Sequence, residues 1–149
     1  MRVSTFLWFC DEAEEAATFY TGLFAGSRIT ETRRTADGKV TTVAFDLAGQ
    51  SCIAFNGGTP LPRTAAMSMF AECDTQDDID EIWSALADGG SEGPGGSLTD
   101  RFGITWQVLP AVLNELLDSS APETAERILA AVHGMQKISI QRLIDAGSH

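Results

Sequence analysis

Two stretches decide the fold: Cys10-Asp11-Glu12-Ala13-Glu14-Glu15-Ala16-Ala17-Thr18-Phe19-Tyr20 and Cys73-Asp74-Thr75-Gln76-Asp77-Asp78-Ile79-Asp80-Glu81-Ile82-Trp83. At an offset of 63, Cys10 onto Cys73, acids fall on acids, Phe19 meets Ile82, Tyr20 meets Trp83 and Leu23 meets Leu86. A short apolar run precedes each: Phe6-Leu7-Trp8-Phe9 and Met67-Ser68-Met69-Phe70. A second match closes the two halves. Asp46-Leu47-Ala48-Gly49 resembles Asp100-Arg101-Phe102-Gly103 at an offset of 54, and an apolar run follows each, Cys52 to Phe55 and Ile104 to Leu109. Order is preserved in both halves: strand, acidic helix start, helix, Asp-x-x-Gly turn, closing strand. A unit repeated in this way predicts one α+β domain of two βαβββ modules. They are expected to form a curled mixed sheet around a cleft, with C-terminal helices added.

Local patterns fill in the elements. Residues 12–24 carry Ala13, Ala16, Ala17, Tyr20, Leu23 and Phe24 at helical spacing, with Asp11 as the expected N-cap. Residues 75–88 carry Ile79, Ile82, Trp83 and Leu86 on one stripe. Arg28–Arg34 and Val40–Leu47 are expected strands joined at Thr35-Ala36-Asp37-Gly38, where Asp-Gly favours a hairpin. Ser51–Phe55 is the expected fourth strand, and Asn56-Gly57-Gly58-Thr59-Pro60 links the halves. Gly89-Gly90-Ser91-Glu92-Gly93-Pro94-Gly95-Gly96 is expected to be a flexible loop; it lacks the Lys-Ser or Lys-Thr of a phosphate-binding turn. Module 1 spans about 1–58, module 2 about 64–110, and a helical extension about 111–146. Within that extension Pro110 suits a first turn, Ser120 with Pro122 and Glu123 starts a helix that Gly134 caps, and Ile138–Ile144 forms a last one. Gly147-Ser148-His149 is expected to be a frayed tail.

Composition narrows the function. The chain has 149 residues, 44% hydrophobic and 21% charged, enough for one core of ordinary globular type. A net charge of −11, with ten scattered Lys and Arg, argues against a nucleic-acid partner. No apolar run is long enough to cross a bilayer, and the start lacks the pattern of a secretory signal. Cys10, Cys52 and Cys73 are odd in number, widely spaced and set in apolar runs, so buried reduced thiols in a cytoplasmic protein are expected. The acidic groups Asp11–Glu15 and Asp74–Glu81 lack a calcium-loop glycine and instead open helices, where negative charge is favoured.

A family resemblance rests on Phe6-Leu7-Trp8-Phe9, Ala13-Glu14-Glu15-Ala16, Phe19-Tyr20, Phe24, Ser27-Arg28-Ile29, Asn56-Gly57-Gly58, Glu72-Cys73-Asp74-Thr75-Gln76, Asp100-Arg101-Phe102-Gly103, Trp106-Gln107-Val108 and Lys137-Ile138. These resemble the PhnB-like proteins, often labelled "3-demethylubiquinone-9 3-methyltransferase". Their superfamily is that of glyoxalase, bleomycin-resistance proteins and extradiol dioxygenases, the vicinal oxygen chelate proteins. The resemblance covers nearly the whole chain. It implies paired βαβββ modules, a cleft and commonly a homodimer, but no particular reaction.

Metal-using relatives hold a divalent ion with His and Glu from the first and closing strands, leaving positions open for substrate oxygens. Counted from Phe19-Tyr20, the first-strand position falls at about Thr5. Its partner falls at Ser68, or Met67 one residue earlier, and the closing-strand positions at Gln107 and Ile53. None is a strong ligand for a transition metal, so no metal and no cofactor are expected. His133 near a helix end has a structural role in this reading, and His149 lies in the tail. Strand alternation then gives the expected cleft lining: Thr5, Leu7, Phe9, Ile53, Phe55, Ser68, Phe70, Thr105 and Gln107, with Leu109 in the same phase. Trp8 and Trp106 are expected to point the other way, into the core. Glu72 is the one carboxylate expected near the cleft.

Three functions compete. A metal-free protein could bind a small, partly apolar molecule, acting in the cytoplasm as a homodimer. A metal-independent enzyme could orient substrate with Thr5, Ser68 or Gln107. The methyltransferase of the family label is the third, and no Gly-rich strand–helix turn supports it. The plain alternative is a packed, dry lining with no ligand.

Overall fold

The computed structural model describes residues 1–148. The chain divides into two compact units, Met1–Pro62 and Arg63 onward, and each carries its own four-stranded mixed sheet. The expected pair of βαβββ modules is present.

The first unit runs β1 (Thr5–Phe9), α1 (Ala13–Leu23), β2 (Arg28–Arg34), β3 (Val40–Leu47) and β4 (Gln50–Asn56), with sheet order β1-β4-β3-β2. The outer pair β1–β4 is parallel and the others are antiparallel. The β2–β3 hairpin turns at Gly38 as expected, with its φ of 88° and a bond from the Gly38 N–H to the Thr35 carbonyl. Asp11 does not cap α1. Glu12 holds the N-cap position without a side-chain capping bond, and the Asn56 Oδ1 at the end of β4 accepts the Ala13 N–H at 2.9 Å. The cap comes from 43 residues away, which no local pattern could show. Ala13, Ala16, Ala17 and Tyr20 bury the helix on the sheet, with Tyr20 stacked on Phe45 at 6.4 Å. The small alanines let helix and sheet backbones approach closely.

The second unit runs β5 (Met69–Cys73), α2 (Gln76–Ala87), β6 (Ser91–Glu92), β7 (Ser97–Thr99) and β8 (Thr105–Pro110), with order β5-β8-β7-β6. Thr75 and Asp78 form a reciprocal capping box at the start of α2. Ile79, Ile82, Trp83 and Leu86 are the buried stripe, as the periodicity predicts. The expected flexible loop over 89–96 is instead ordered. It contains β6, and its Gly95 and Gly96 N–H groups donate to the Met135 and Gln136 carbonyls at 2.7 and 3.0 Å. Gly96 has φ +79°, and a Cβ there would stand 2.7 Å from the Val108 carbonyl oxygen, so only glycine fits.

Three helices follow: α3 (Val112–Asp118), α4 (Pro122–His133) and α5 (Ile140–Gly147). Pro110 ends β8 rather than opening a helix, since its register partner Cys73 completes the β5 pairing. Ala121 rather than Ser120 is the N-cap of α4, with Pro122 in the first turn and Gly134 at the C-cap. The expected frayed tail is corrected at two positions: Gly147 belongs to α5, and Ser148 is its C-cap, its N–H donating to the Asp145 carbonyl and its hydroxyl to the Ile144 carbonyl; His149 lies outside the described residues. Leu113, Ile128, Val132, Met135, Ile138 and Leu143 form a buried cluster of their own, with Leu109 of β8 packed against it. Gln76 ties this extension to α2. Its Nε2 donates to the Ile138 carbonyl at 3.0 Å, and its Oε1 accepts the Ile140 N–H at 2.8 Å.

Candidate functional site

Strand register assigns every side chain of each sheet to a face, because cross-strand partners share a side. In the first unit Thr5, Leu7 and Phe9 of β1 pair with Cys52, Ala54 and Asn56 of β4. Cys52 and Ala54 pair in turn with Phe45 and Val43. Phe45 stacks on Tyr20, so this whole set faces α1. Leu7 and Phe9 are core residues, and the expectation that Thr5, Leu7 and Phe9 share a lining with Ile53 and Phe55 is corrected: the two sets lie on opposite faces. Trp8, expected in the core, is corrected likewise. The cause is the unbroken run Phe6-Leu7-Trp8-Phe9, whose phase no alternation reveals.

The face away from α1 carries two rows across all four strands: Trp8, Phe55, Thr42 and Arg33, then Phe6, Ile53, Ala44 and Glu31. Phe55 is central, 5.7 Å from Phe6 and 5.0 Å edge-on from Trp8. Phe6 is 56% exposed. The Trp8 indole is fixed by its Nε1, which donates to the Thr59 carbonyl at 2.7 Å. It also lies across Gly57, where a Cβ would fall 2.0 Å from the ring.

In the second unit Phe70 pairs with Gln107, and Gln107 with Ser97; Glu72 pairs with Leu109, and Thr105 with Thr99. The alternate set, Ala71, Cys73, Leu98, Trp106 and Val108, is buried on the α2 side. Phe70, Thr105 and Gln107 therefore share the face away from α2, together with Glu72. Phe70 is 59% exposed. Ser68 precedes β5 and is exposed, in phase with Phe70. Trp106 is core as expected. Its Nε1 donates to the Asp100 Oδ2 at 2.9 Å, while the Asp100 Oδ1 accepts the Phe102 and Ile104 N–H groups. Leu109, expected in the lining, is covered by the helical extension.

The structural offset between first strands is 64, Phe9 onto Cys73; the helix starts keep the offset of 63, Ala13 onto Gln76, while the buried stripes of the two helices match at 66, Tyr20 onto Leu86. The offset of 54 between closing strands stands: Ile53 and Gln107 are equivalent, paired with Phe6 and Phe70. The partner of Ser68 is thus Ser4, one residue from the expected Thr5. The residues at the four positions are then Ser4, Ser68, Ile53 and Gln107, of which Ile53 offers no side-chain donor atom. Among the described residues no three of His, Cys, Asp and Glu come together. This donor set does not fit a divalent metal. The Cys52 and Cys73 thiols are pushed up to about 11, first by burial and then by nearby carboxylates, and face the helices. Cys10 is partly exposed, so not all three thiols are buried.

Two mixed sheets of this order, each with one crossover helix, define the glyoxalase or vicinal oxygen chelate fold. Residues 1–109 match the family described as 3-demethylubiquinone-9 3-methyltransferase, and the chain belongs to that family. It is similar to a PhnB protein of Bacillus cereus carrying the same methyltransferase label, at 31% identity and a TM-score of 0.69, over 74% of this chain and 100% of that one. Protein PA1353 of Pseudomonas aeruginosa matches at 18% identity and TM-score 0.62, over 74% and 97% of the two chains. A fosfomycin resistance protein, FosX, of Listeria monocytogenes, solved with manganese(II) and sulfate, matches at 13% and 0.55, over 72% and 89%. The last two show the fold alone. No curated protein matches. Among the described residues no helix is long and apolar enough to cross a membrane.

Proposed function

We propose that this chain binds a small, partly apolar molecule without a metal, on the sheet faces turned away from α1 and α2. The carrying observation is the composition of those faces. The first presents Phe6, Trp8 and Phe55; the second presents Phe70 beside Gln107, Ser97 and Glu72. Apolar area with a few placed polar groups is the usual make-up of a small-molecule site. A homodimer in the cytoplasm belongs to the same reading, with exposed Met67 and Phe70 as apolar surface for a second copy. Sedimentation velocity tests it, and a monomer at working concentration would sink that part.

A thermal-shift screen tests the binding. A ligand of the folded state raises Tm by mass action. Phe55→Ala and Gln107→Ala should each abolish the shift of ligands seated on their own face. A ligand whose shift survives both variants would place binding elsewhere.

Glu72 favours a second reading, a metal-independent enzyme. It is exposed on the same face as Gln107 and is the one carboxylate on the strands there. Turnover of a bound ligand that stops in Glu72→Gln would support it. Methyl transfer finds less support. The strand-to-helix turns Cys10-Asp11-Glu12 and Asp74-Thr75 are acidic and glycine-free, unlike turns that cradle nucleotide-type cofactors. Tight S-adenosylmethionine binding by calorimetry would reverse that.

A further inference from the structure

We propose that the first sheet's face binds a flat aromatic molecule bearing an uncharged hydrogen-bond acceptor, its ring on Phe6, Phe55 and Trp8 and its acceptor at Thr42 and Arg33. The inference rests on the binding reading above and names the chemical class. It follows from how chemistry is distributed across the strands. Both rows are aromatic or aliphatic on β1 and β4 and turn small or polar on β3 and β2. Adjacent strands lie about 4.8 Å apart, so Phe55 and Arg33, two strands apart, are separated by about 10 Å. A fused bicyclic ring with one substituent spans that distance.

Trp8 specifies the apolar end. Its single polar atom, Nε1, is already bonded to the Thr59 carbonyl, so the indole offers hydrocarbon and π-surface only. Gly57 supplies the space in which the ring lies, and Phe55 meets it edge-on. The platform is held in place before any ligand arrives, which lowers the entropic cost of binding. A flat π-system gains more from such rings than a puckered one of equal size.

Charge specifies the other end. The Arg33 Nε donates to the Glu31 Oε1 at 3.0 Å, which makes the pair neutral overall. The guanidinium retains further N–H donors, and the Thr42 hydroxyl lies between it and Phe55. An anionic group would meet Glu31 and a net charge of −11, so a neutral acceptor such as an amide or ketone carbonyl is the better match.

The test uses two probes, naphthalene-2-carboxamide and decahydronaphthalene-2-carboxamide, alike in polar group and differing in flatness and π-character. Trp83 and Trp106 are 3% and 2% exposed, so Trp8 is the tryptophan that a ligand on this face would quench. The aromatic probe should quench emission and bind about ten-fold more tightly than the saturated one. The quench should vanish in Trp8→Phe, and Phe55→Leu, with an unchanged circular dichroism spectrum, should weaken binding of the aromatic probe. Equal affinity for the two probes would overturn the aromatic class yet leave small-molecule binding standing. Binding lost in Phe70→Ala but kept in Phe55→Leu would move the site to the second sheet and overturn this inference alone. Failure of both probes, or Trp8 emission that changes with protein concentration because a second copy covers the face, would also overturn it.

Discussion

The two sheets share a plan and differ in what supports them. In the first unit β2 and β3 run seven and eight residues, and the sheet is complete within its own module. In the second their counterparts β6 and β7 have two and three. Short strands give few ladder bonds and little apolar face, and a sheet so built needs covering from elsewhere. Two devices supply it. Asp100 is buried at 3% exposure and gathers the β7–β8 turn and Trp106 onto one carboxylate. The helical extension then packs its own apolar cluster against Leu109. The family match ends at residue 109, and the Bacillus cereus relative is matched over its whole length by 74% of this chain. Lys137-Ile138 and the rest of the extension therefore lie outside the matched region, which is shorter than the nearly whole-chain resemblance read from the sequence.

The sharpest way to break this comparison is at the two equivalent aspartates. Asp46 accepts one bond, from the Gly49 N–H at 2.8 Å, in a partly exposed turn. Asp100→Ala leaves two backbone N–H groups and the Trp106 indole without their acceptor, and should cost about 3 kcal/mol or more. Asp46→Ala should cost under about 1 kcal/mol. Urea unfolding of both variants measures the contrast, and equal losses would mean the two turns carry equal load.

A second pair sits just beyond the closing strands. The Gly57 N–H donates to the Phe9 carbonyl at 2.8 Å, and the Ala111 N–H to the Cys73 carbonyl at 2.9 Å. The bonds are equivalent, yet one residue must be glycine. Trp8 lies over Gly57, whereas Glu72 occupies the matching position in the second unit. Gly57→Ala should cost about 2 kcal/mol by displacing the indole. In a Trp8→Glu background, which copies the second unit, the same change should be nearly neutral. Additive losses in that double-mutant cycle would show that Trp8 is not the reason for the glycine.

Gln76 comes next. Gln76→Ala removes both bonds to the 138–140 backbone, and the loss should be about 1–2 kcal/mol, concentrated in the extension. Hydrogen exchange should speed up in α4 and α5 and stay unchanged in the first unit. Asp80 adds a pH-dependent tie, bonded to Lys137 at 2.8 Å and to Gln76, and these bonds lower its pKa. Its contribution is present above the ordinary carboxylate range and is lost as pH falls through the lowered value.

Much of this was legible in the chain. Asp37-Gly38, the stripe Ile79, Ile82, Trp83 and Leu86, and the two Asp-x-x-Gly turns are local signals, and each stands where the pattern puts it. The closing-strand equivalence of Ile53 and Gln107 followed from those turns. The phase of β1 was not legible, because four consecutive apolar residues look alike on both faces until a partner strand fixes the register. The helix starts keep the offset of 63, Ala13 onto Gln76, but α1 buries its first residue whereas the buried stripe of α2 begins three residues in, at Ile79, which acidic composition conceals. The Asn56 cap and the Gln76 clamp are long-range, between residues 43 and 62 to 64 apart, and leave no mark on local sequence.

The smallest effect separates the two units by their thiols. Cys52 and Cys73 are both raised from 9.0 to about 11, chiefly by burial. One carboxylate, Asp46, adds to the first; Asp78, Asp74 and Glu72 add to the second. A folded-state pKa above the unfolded value means the native chain keeps a proton that the unfolded chain releases. Stability is therefore unaffected below about pH 9 and falls as pH rises from about 9 to about 11. Denaturant midpoints at pH 8 and pH 10.5 measure that fall, and Cys52→Ala or Cys73→Ala should each reduce it. Carboxylate repulsion is screened by salt and burial is not. Added salt should then shrink the Cys73 share more than the Cys52 share, and an equal response would show that burial alone sets both.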